Sequence, residues 1–376
     1  MPLPEIIAET ILRQGPLSFH DFMEMALYYP GQGYYTSPGE RTGRSGDFYT
    51  SPYLTNLFGD MVAGQLEEMW LVLGAPCPFT VVECGPGTGL LCADILKRLR
   101  RNKTLFDHLH YVLIEKSQWM REKEKRLLSS EGLLDKVRWE NGLGDLFPFT
   151  GCILSNELID NFAVHRVVME DELMEVFVGY DNAFTEVLRP AAAELKDYMH
   201  RLGVMLPGGY SAEINLEATQ WIRQASAALQ KGFVITIDYG SSSSGLYHDK
   251  AGTLICYHHH SINHNPYSFV GEQDITSHVN FSALDHWGRS EGLEYCGYTS
   301  QARFLQGLGL NRRLKELETG SDPGGSRTPA AVAPQAVLRQ LYTLLVQMGN
   351  SFKVLIQSKG VGHLFLSGLQ FTQRLA

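Results

Sequence analysis

Apolar positions over the first 73 residues recur at helical spacing. Ile6, Ile7, Thr10 and Ile11 share one face of a first helix. Ser18 reads as the N-cap of a second, with Asp21 three residues on and Phe19, Phe22, Met23, Ala26 and Leu27 as its apolar stripe. Pro30, Gly31 and Gly33 end it, and residues 31–53, rich in Gly, Ser, Thr, Pro and Tyr, read as a long loop. A third helix is expected from Leu54 to Leu73, closed by Gly74 and Pro76.

The period then changes. Thr80–Cys84, Tyr111–Glu115, Val137–Trp139, Cys152–Leu154 and Phe233–Ile237 are short continuous apolar runs, with helical stretches between several of them. That alternation predicts a parallel sheet covered on both faces. Roughly 75 residues separate the fourth and fifth runs, far more than a crossover needs. Within them Val164–Met169 and Leu173–Val178 suggest a hairpin turning at Glu170-Asp171-Glu172, followed by helices near 191–202 and 215–230. Gly320–Pro334 is the best linker candidate, after which a helix at 335–347 and a strand Phe352–Gln357 return to the sheet.

Composition narrows the class. The chain has 376 residues, 44% hydrophobic and 19% charged, with a net charge of -9. This is the balance of a globular protein, and it argues against a chain whose main task is to grip nucleic-acid phosphates. No run of 18 apolar residues predicts a membrane span. Met1–Phe19 carries Glu5 and Glu9 and no basic stretch ahead of an apolar one, so neither a secretory signal nor a mitochondrial transit peptide is expected. Six scattered cysteines, several inside apolar strands and none in a C-x-x-C pair, point to reduced thiols in a cytoplasmic setting.

The candidate chemistry begins at Glu83-Cys84-Gly85-Pro86-Gly87-Thr88-Gly89, between the first run and a helix. Glycines there let the backbone turn sharply and lie against a ligand. The spacing is one residue shorter than a dinucleotide fingerprint, an acid precedes it, and no Walker sequence occurs. Strand, E-x-G-x-G-x-G, helix and a second strand ending in an acid is the arrangement of S-adenosylmethionine (SAM) sites. Gly85, Gly87 and Gly89 would pass along the methionine part and Glu83 would hold its ammonium. Glu115 would accept from both ribose hydroxyls, and Asp145 is placed for the adenine amino group. NAD is the competing cofactor, disfavoured by the shortened spacing and the preceding acid.

At the end of the fourth run come Ser155-Asn156-Glu157-Leu158-Ile159-Asp160. One helical turn would put Glu157 and Asp160 on the same face, where two carboxylates suit a cationic acceptor such as a guanidinium. Other segments speak more softly. Gly46-Asp47-Phe48 and Thr50-Ser51-Pro52 could fold over a cofactor, and Asp238-Tyr239-Gly240 ends the fifth strand at the same side. His258, His259, His260 and His264 lack companion ligands at zinc spacing, and no metal site is expected. Lys97, Arg98, Arg100, Arg101 and Lys103 read as a solvated helix end.

These blocks do not stand alone. Phe22-Met23 with Ala26-Leu27-Tyr28, Gly33-Tyr34-Tyr35, Gly46-Asp47-Phe48, Thr50-Ser51-Pro52 and Phe58-Gly59 come first in order. Glu83–Gly89, Asn156-Glu157, Asp238-Tyr239-Gly240 and Gly252-Thr253-Leu254 follow, then Gly271–Thr276 with His278, Asn280 and Phe281. With Gln301, Phe304-Leu305, Met348-Gly349 and Phe352-Lys353-Val354-Leu355, the set resembles the MidA-like family of SAM-dependent methyltransferases from about residue 17 to 357. That family includes the mitochondrial complex I assembly factor, a protein arginine N-methyltransferase; without a targeting segment, this chain looks like a bacterial relative.

The resemblance implies a Rossmann-like class I methyltransferase sheet of α/β class, with an N-terminal helical cap and a large insertion. On this reading residues 1–78 form the cap and loop. The SAM-binding domain is 79–376, with an insertion at 161–231 and an accessory region at 241–334. It also implies SAM as cofactor and a protein arginine as acceptor, a respiratory-complex subunit among the candidates. Asn156, Glu157 and Asp160 would serve catalysis, and Asp47 would join the cofactor residues. Oligomerisation is open. One departure stands out: the family's Asp-Ala-x-Pro after Asn-Glu is here Asp160-Asn161-Phe162-Ala163. A SAM-binding assembly factor without turnover, or a methyltransferase for RNA or a small molecule, are the alternative functions.

Overall fold

The computed structural model describes residues 1–38, 51–259, 261–318, 345, 348–362 and 365–375. Among the described residues seven strands form the path of the main sheet: β1 (Phe79–Cys84), β2 (Leu109–Ile114), β3 (Val137–Glu140), β4 (Phe149–Asn156), β5 (Leu229–Ser241), β6 (Glu294–Ser300) and β7 (Phe352–Lys359), and the two-residue Val279–Asn280 pairs with the end of β5 as an eighth. Their order is β6-β7-β5-β4-β1-β2-β3. β3, β2, β1, β4 and β5 run parallel, and β7 lies antiparallel between β5 and β6. The fold is therefore a Rossmann-like α/β sheet, as the alternating apolar runs predict. Its strand order reverses between β1 and β4, where a crevice opens at the carboxyl ends.

Side chains alternate across each strand, so one run feeds two cores. Val81, Leu113, Leu154 and Ile235 pack on one face against Phe58, Val62 and Leu66 of α3 (Asn56–Val72) and Ile95 of α4 (Leu90–Leu99). Val82, Val112, Ile153 and Val234 pack on the other, against Trp221 and Ile222 of α6 (Leu216–Ala228) and Leu284 of α7 (Phe281–Ser290). Between α4 and α6 in sequence, α5 (Gln118–Ser130) flanks the glycine turn.

α1 (Leu3–Gln14) and α2 (Phe19–Tyr28) precede the sheet, and Ser18 caps α2 by accepting from the Asp21 amide. The segment between β4 and α6 contributes its own antiparallel strands, His165–Met169, Leu173–Tyr180, Phe184–Pro190 and Ser211–Ile214. Leu17–Ser18 pairs with Phe177 and Val178 of the second of these. A further small sheet, Ile255–His258, Ser261–Asn263 and Asp274–Thr276, lies beyond β5. α1, α2, the inserted strands and this small sheet share a third apolar core, in which Ile7, Phe22, Val178 and Ile275 are buried. The linker expected at 320–334 lies outside the described residues, as does nearly all of the helix expected at 335–347. Among the described residues no helix is long and apolar enough to cross a membrane.

Candidate functional site

A cavity of about 480 Å³ occupies the crevice, within the range of small-molecule sites. Its walls come from the ends of β1 to β5, from Tyr28, Tyr35 and Ser37, from α6 and from the small sheet.

The glycine turn forms one wall. Gly85, Gly87 and Gly89 all have positive φ (68°, 58° and 80°), a backbone that side chains resist. A Cβ added at Gly87 would meet no protein atom within 4 Å, so the turn presents bare backbone to the cavity. Gly85 and Gly87 line the cavity; Gly89 instead caps α4 and packs against Glu124 of α5. Glu83, at the end of β1, is buried and accepts from the Tyr111 hydroxyl at 2.6 Å. Burial pushes its carboxyl up to about 8, against the opposing pull of that bond. Glu115 follows β2, accepts from the Ser117 amide at 2.6 Å and lines the cavity; burial raises it to about 7. A buried carboxyl raised in this way gains from a ligand that brings donors.

Asp145 departs from expectation. The 3₁₀ turn Leu143–Asp145 leaves it exposed and outside the cavity, while Asn141, Gly142 and Leu143 line the wall after β3. Asp47 lies outside the described residues.

Beyond the cofactor end, the turn after β4 supplies Asn156, Glu157 and Asp160, all lining the cavity. Glu157 adopts φ 52°, uncommon for a residue with a side chain and costing on the order of 1–3 kcal/mol. Its amide donates to the Ile237 carbonyl at 2.9 Å. Its Oε1 accepts from the Ser51 amide at 3.2 Å and from Asn156 Nδ2 at 3.1 Å. Burial still lifts its carboxyl to about 8. The turn is fastened from below by Asp238 of β5, whose Oδ2 accepts from the amides of Leu158, Ile159 and Asp160 at 3.2, 2.9 and 3.4 Å. Asp160 is buried beside Asp238, and desolvation followed by that neighbouring charge raises its carboxyl strongly.

The structure also brings in residues that sequence reasoning did not assign. Tyr28 and Tyr35 from the cap, Glu217 and Trp221 from α6, and Tyr257 and Asp274 from the small sheet all face the cavity. The Ala26-Leu27-Tyr28, Gly33-Tyr34-Tyr35 and Gly271–Thr276 blocks contain Tyr28, Tyr35 and Asp274, without a role. Of the softer candidates, Pro52 and Tyr239 line the cavity, while the basic cluster and His258 fall elsewhere. Lys97 pairs with Glu131 at 2.9 Å, Arg98 with Glu67 at 3.5 Å, and Arg100 donates to the Gly132 carbonyl. His258 stacks on Phe269, and His260 lies outside the described residues. Among the described residues no group of three or more His, Cys, Asp and Glu side chains could hold a metal ion.

Bare glycine backbone under an acid, with a second acid after the next strand at the sheet's switch point, defines a SAM-dependent methyltransferase. Residues 61–299 match the family model of S-adenosyl-L-methionine-dependent methyltransferases, and the chain belongs to that family. A solved protein of Burkholderia thailandensis bound to S-adenosyl-homocysteine is 30% identical, with a TM-score of 0.87 over 99% of this chain and 95% of its own. The mitochondrial protein arginine methyltransferase NDUFAF7 homolog of Drosophila melanogaster is 27% identical over 93% of this chain and 83% of its own length. The Homo sapiens protein arginine methyltransferase NDUFAF7 is 25% identical, over 84% and 75%.

Proposed function

We propose that this methyltransferase acts on the guanidinium of an arginine in a protein substrate, and that Glu157 and Asp160 receive it. The observation that carries the reading is the acid-walled, tyrosine-lined end of the cavity, continuous with the glycine turn. The names of the relatives, which are protein arginine methyltransferases, support the same acceptor.

When bound, SAM supplies an electrophilic methyl group on a sulfonium. The chain's own residues supply the rest. The backbone from Gly85 to Gly87 would seat the methionine part, Glu83 would hold its ammonium, and Glu115 would accept from the ribose hydroxyls. Asn156 and the Ser51 amide orient Glu157 by donating to its Oε1. Glu157, once ionised, pairs with the guanidinium, orients its nitrogens and accepts the proton that the methylated nitrogen sheds. An arriving cation favours that ionisation by offsetting the burial that opposes it. Tyr28, Tyr35 and Tyr239 narrow the space and exclude water.

Incubating the purified chain with methyl-labelled SAM and a cell lysate tests the reading. Label recovered as methylarginine in protein is expected. Nuclease-sensitive label, or tight SAM binding with no transfer, overturns it.

A further inference from the structure

Three carboxylates reach the acceptor end of the cavity from two distant parts of the chain. Glu157 and Asp160 come from the turn after β4, and Asp274 opens the last strand of the small sheet. Asp274 is 2% exposed, and the Tyr35 hydroxyl donates to its Oδ1 at 2.8 Å. The Ser277 amide, just past that strand, donates to the Asp160 carbonyl at 3.1 Å, which ties the two acidic segments together. The charge of Asp274 adds to the burial that raises the Asp160 carboxyl, so the two sense each other directly.

One oxygen in this group accepts from no N–H or hydroxyl among the described residues. Asp160 is 4% exposed and lines the cavity, and its Oδ1 is left without such a donor, with the carboxyl of Asp238, a second acid, beside it. A buried acceptor left this way is costly, and a ligand bringing a donor removes the cost. Among the described lining residues the one cationic side chain is Lys116, whose ammonium lies over the Tyr28 ring. Two carboxylates on separate elements, walled by tyrosine rings, suit a flat cation with several N–H donors and an affinity for aromatic faces. Guanidinium has these properties; ammonium is a compact, strongly hydrated point charge.

We propose that Asp160 and Asp274 grip the acceptor guanidinium together, with Tyr35 holding Asp274 in place, so that Asp274 selects arginine over lysine. This rests on the arginine reading above and adds a residue to it.

Calorimetric titration of the full chain, saturated with S-adenosyl-homocysteine, with N-acetyl-arginine methylamide and N-acetyl-lysine methylamide tests the proposal. The native protein should bind the arginine probe at least about tenfold more tightly, a difference of about 1.4 kcal/mol. Asp274→Asn should lose at least about tenfold in affinity for the arginine probe and discriminate no longer, while binding S-adenosyl-homocysteine within twofold of the native value. Undiminished arginine binding by Asp274→Asn overturns the proposal and leaves the arginine reading intact. A native protein that prefers the lysine probe, or binds neither, overturns both. Should Asp274→Asn fail to bind S-adenosyl-homocysteine, Tyr35→Phe decides: a loss of about threefold for the arginine probe supports the proposal and no loss overturns it.

Discussion

Replacing Gly87 with alanine adds one methyl group where the cavity meets the turn after β1. At φ 58° the new side chain costs about 1–2 kcal/mol in backbone strain. For a chain of this size that lowers the melting temperature by about 1–3 °C. Among the described residues no atom beyond its chain neighbours lies within 4 Å of the new carbon, so their packing adds nothing further. A bound cofactor would meet that carbon. An overpacked methyl costs about 1–3 kcal/mol, which weakens S-adenosyl-homocysteine about 5- to 150-fold. Gly132→Ala is the matched control: its φ is 62°, its Cβ also meets nothing, and it does not line the cavity. Calorimetry and thermal melting on both variants give the answer. Equal losses of stability with a loss of binding at Gly87 alone are expected. If both variants bind as the native chain does, the turn is not the cofactor's seat.

Glu115→Ala removes the proposed acceptor for two ribose hydroxyls, so S-adenosyl-homocysteine affinity should fall by about 10²-fold or more, measured by calorimetry; a change below about threefold would refute that role. Glu157→Gln should bind S-adenosyl-homocysteine within about twofold of the native chain yet transfer methyl at least about 10²-fold more slowly. Since Glu157 must be ionised and burial raises it to about 8, native kcat/KM should climb with pH to about 8, and the substitution should abolish that limb. Stability should run the other way. Glu83, Glu115 and Glu124, raised by burial to about 8, 7 and 8, stay protonated in the fold at pH values where the unfolded chain has released those protons. The cofactor-free protein should therefore lose stability as pH climbs from about 4.5 to 8, at up to about 1.4 kcal/mol per unit for each group. Urea midpoints across that range test this, and a flat or rising curve would contradict it.

The sheet and the glycine turn were legible because each rests on local pattern. Continuous apolar runs such as Thr80–Cys84 leave few choices beyond a strand buried on both faces, and three glycines behind an acid mark a backbone bend. Phe184–Pro190 escaped notice because six of its seven residues are exposed and it ends in proline, so no alternation marks it. Asp145 was misplaced because an acid after a strand has no visible orientation until the 3₁₀ turn fixes it. Tyr28, Asp274 and Glu217 escaped for a different reason. Each sits in an ordinary amphipathic helix or short strand, and only tertiary packing turns it toward the cavity.

The acceptor wall becomes possible later in synthesis than the switch point between β1 and β4. Leu17 finds its partner at Val178, and Tyr35 finds its own at Asp274, so residues made early must wait for others made well after the switch point. During synthesis the sheet's switch point can take shape well before that wall closes. A partly made chain would thus offer a seat for the methyl donor but no enclosed place for the proposed acceptor, so a nascent polypeptide would be unable to modify its neighbours.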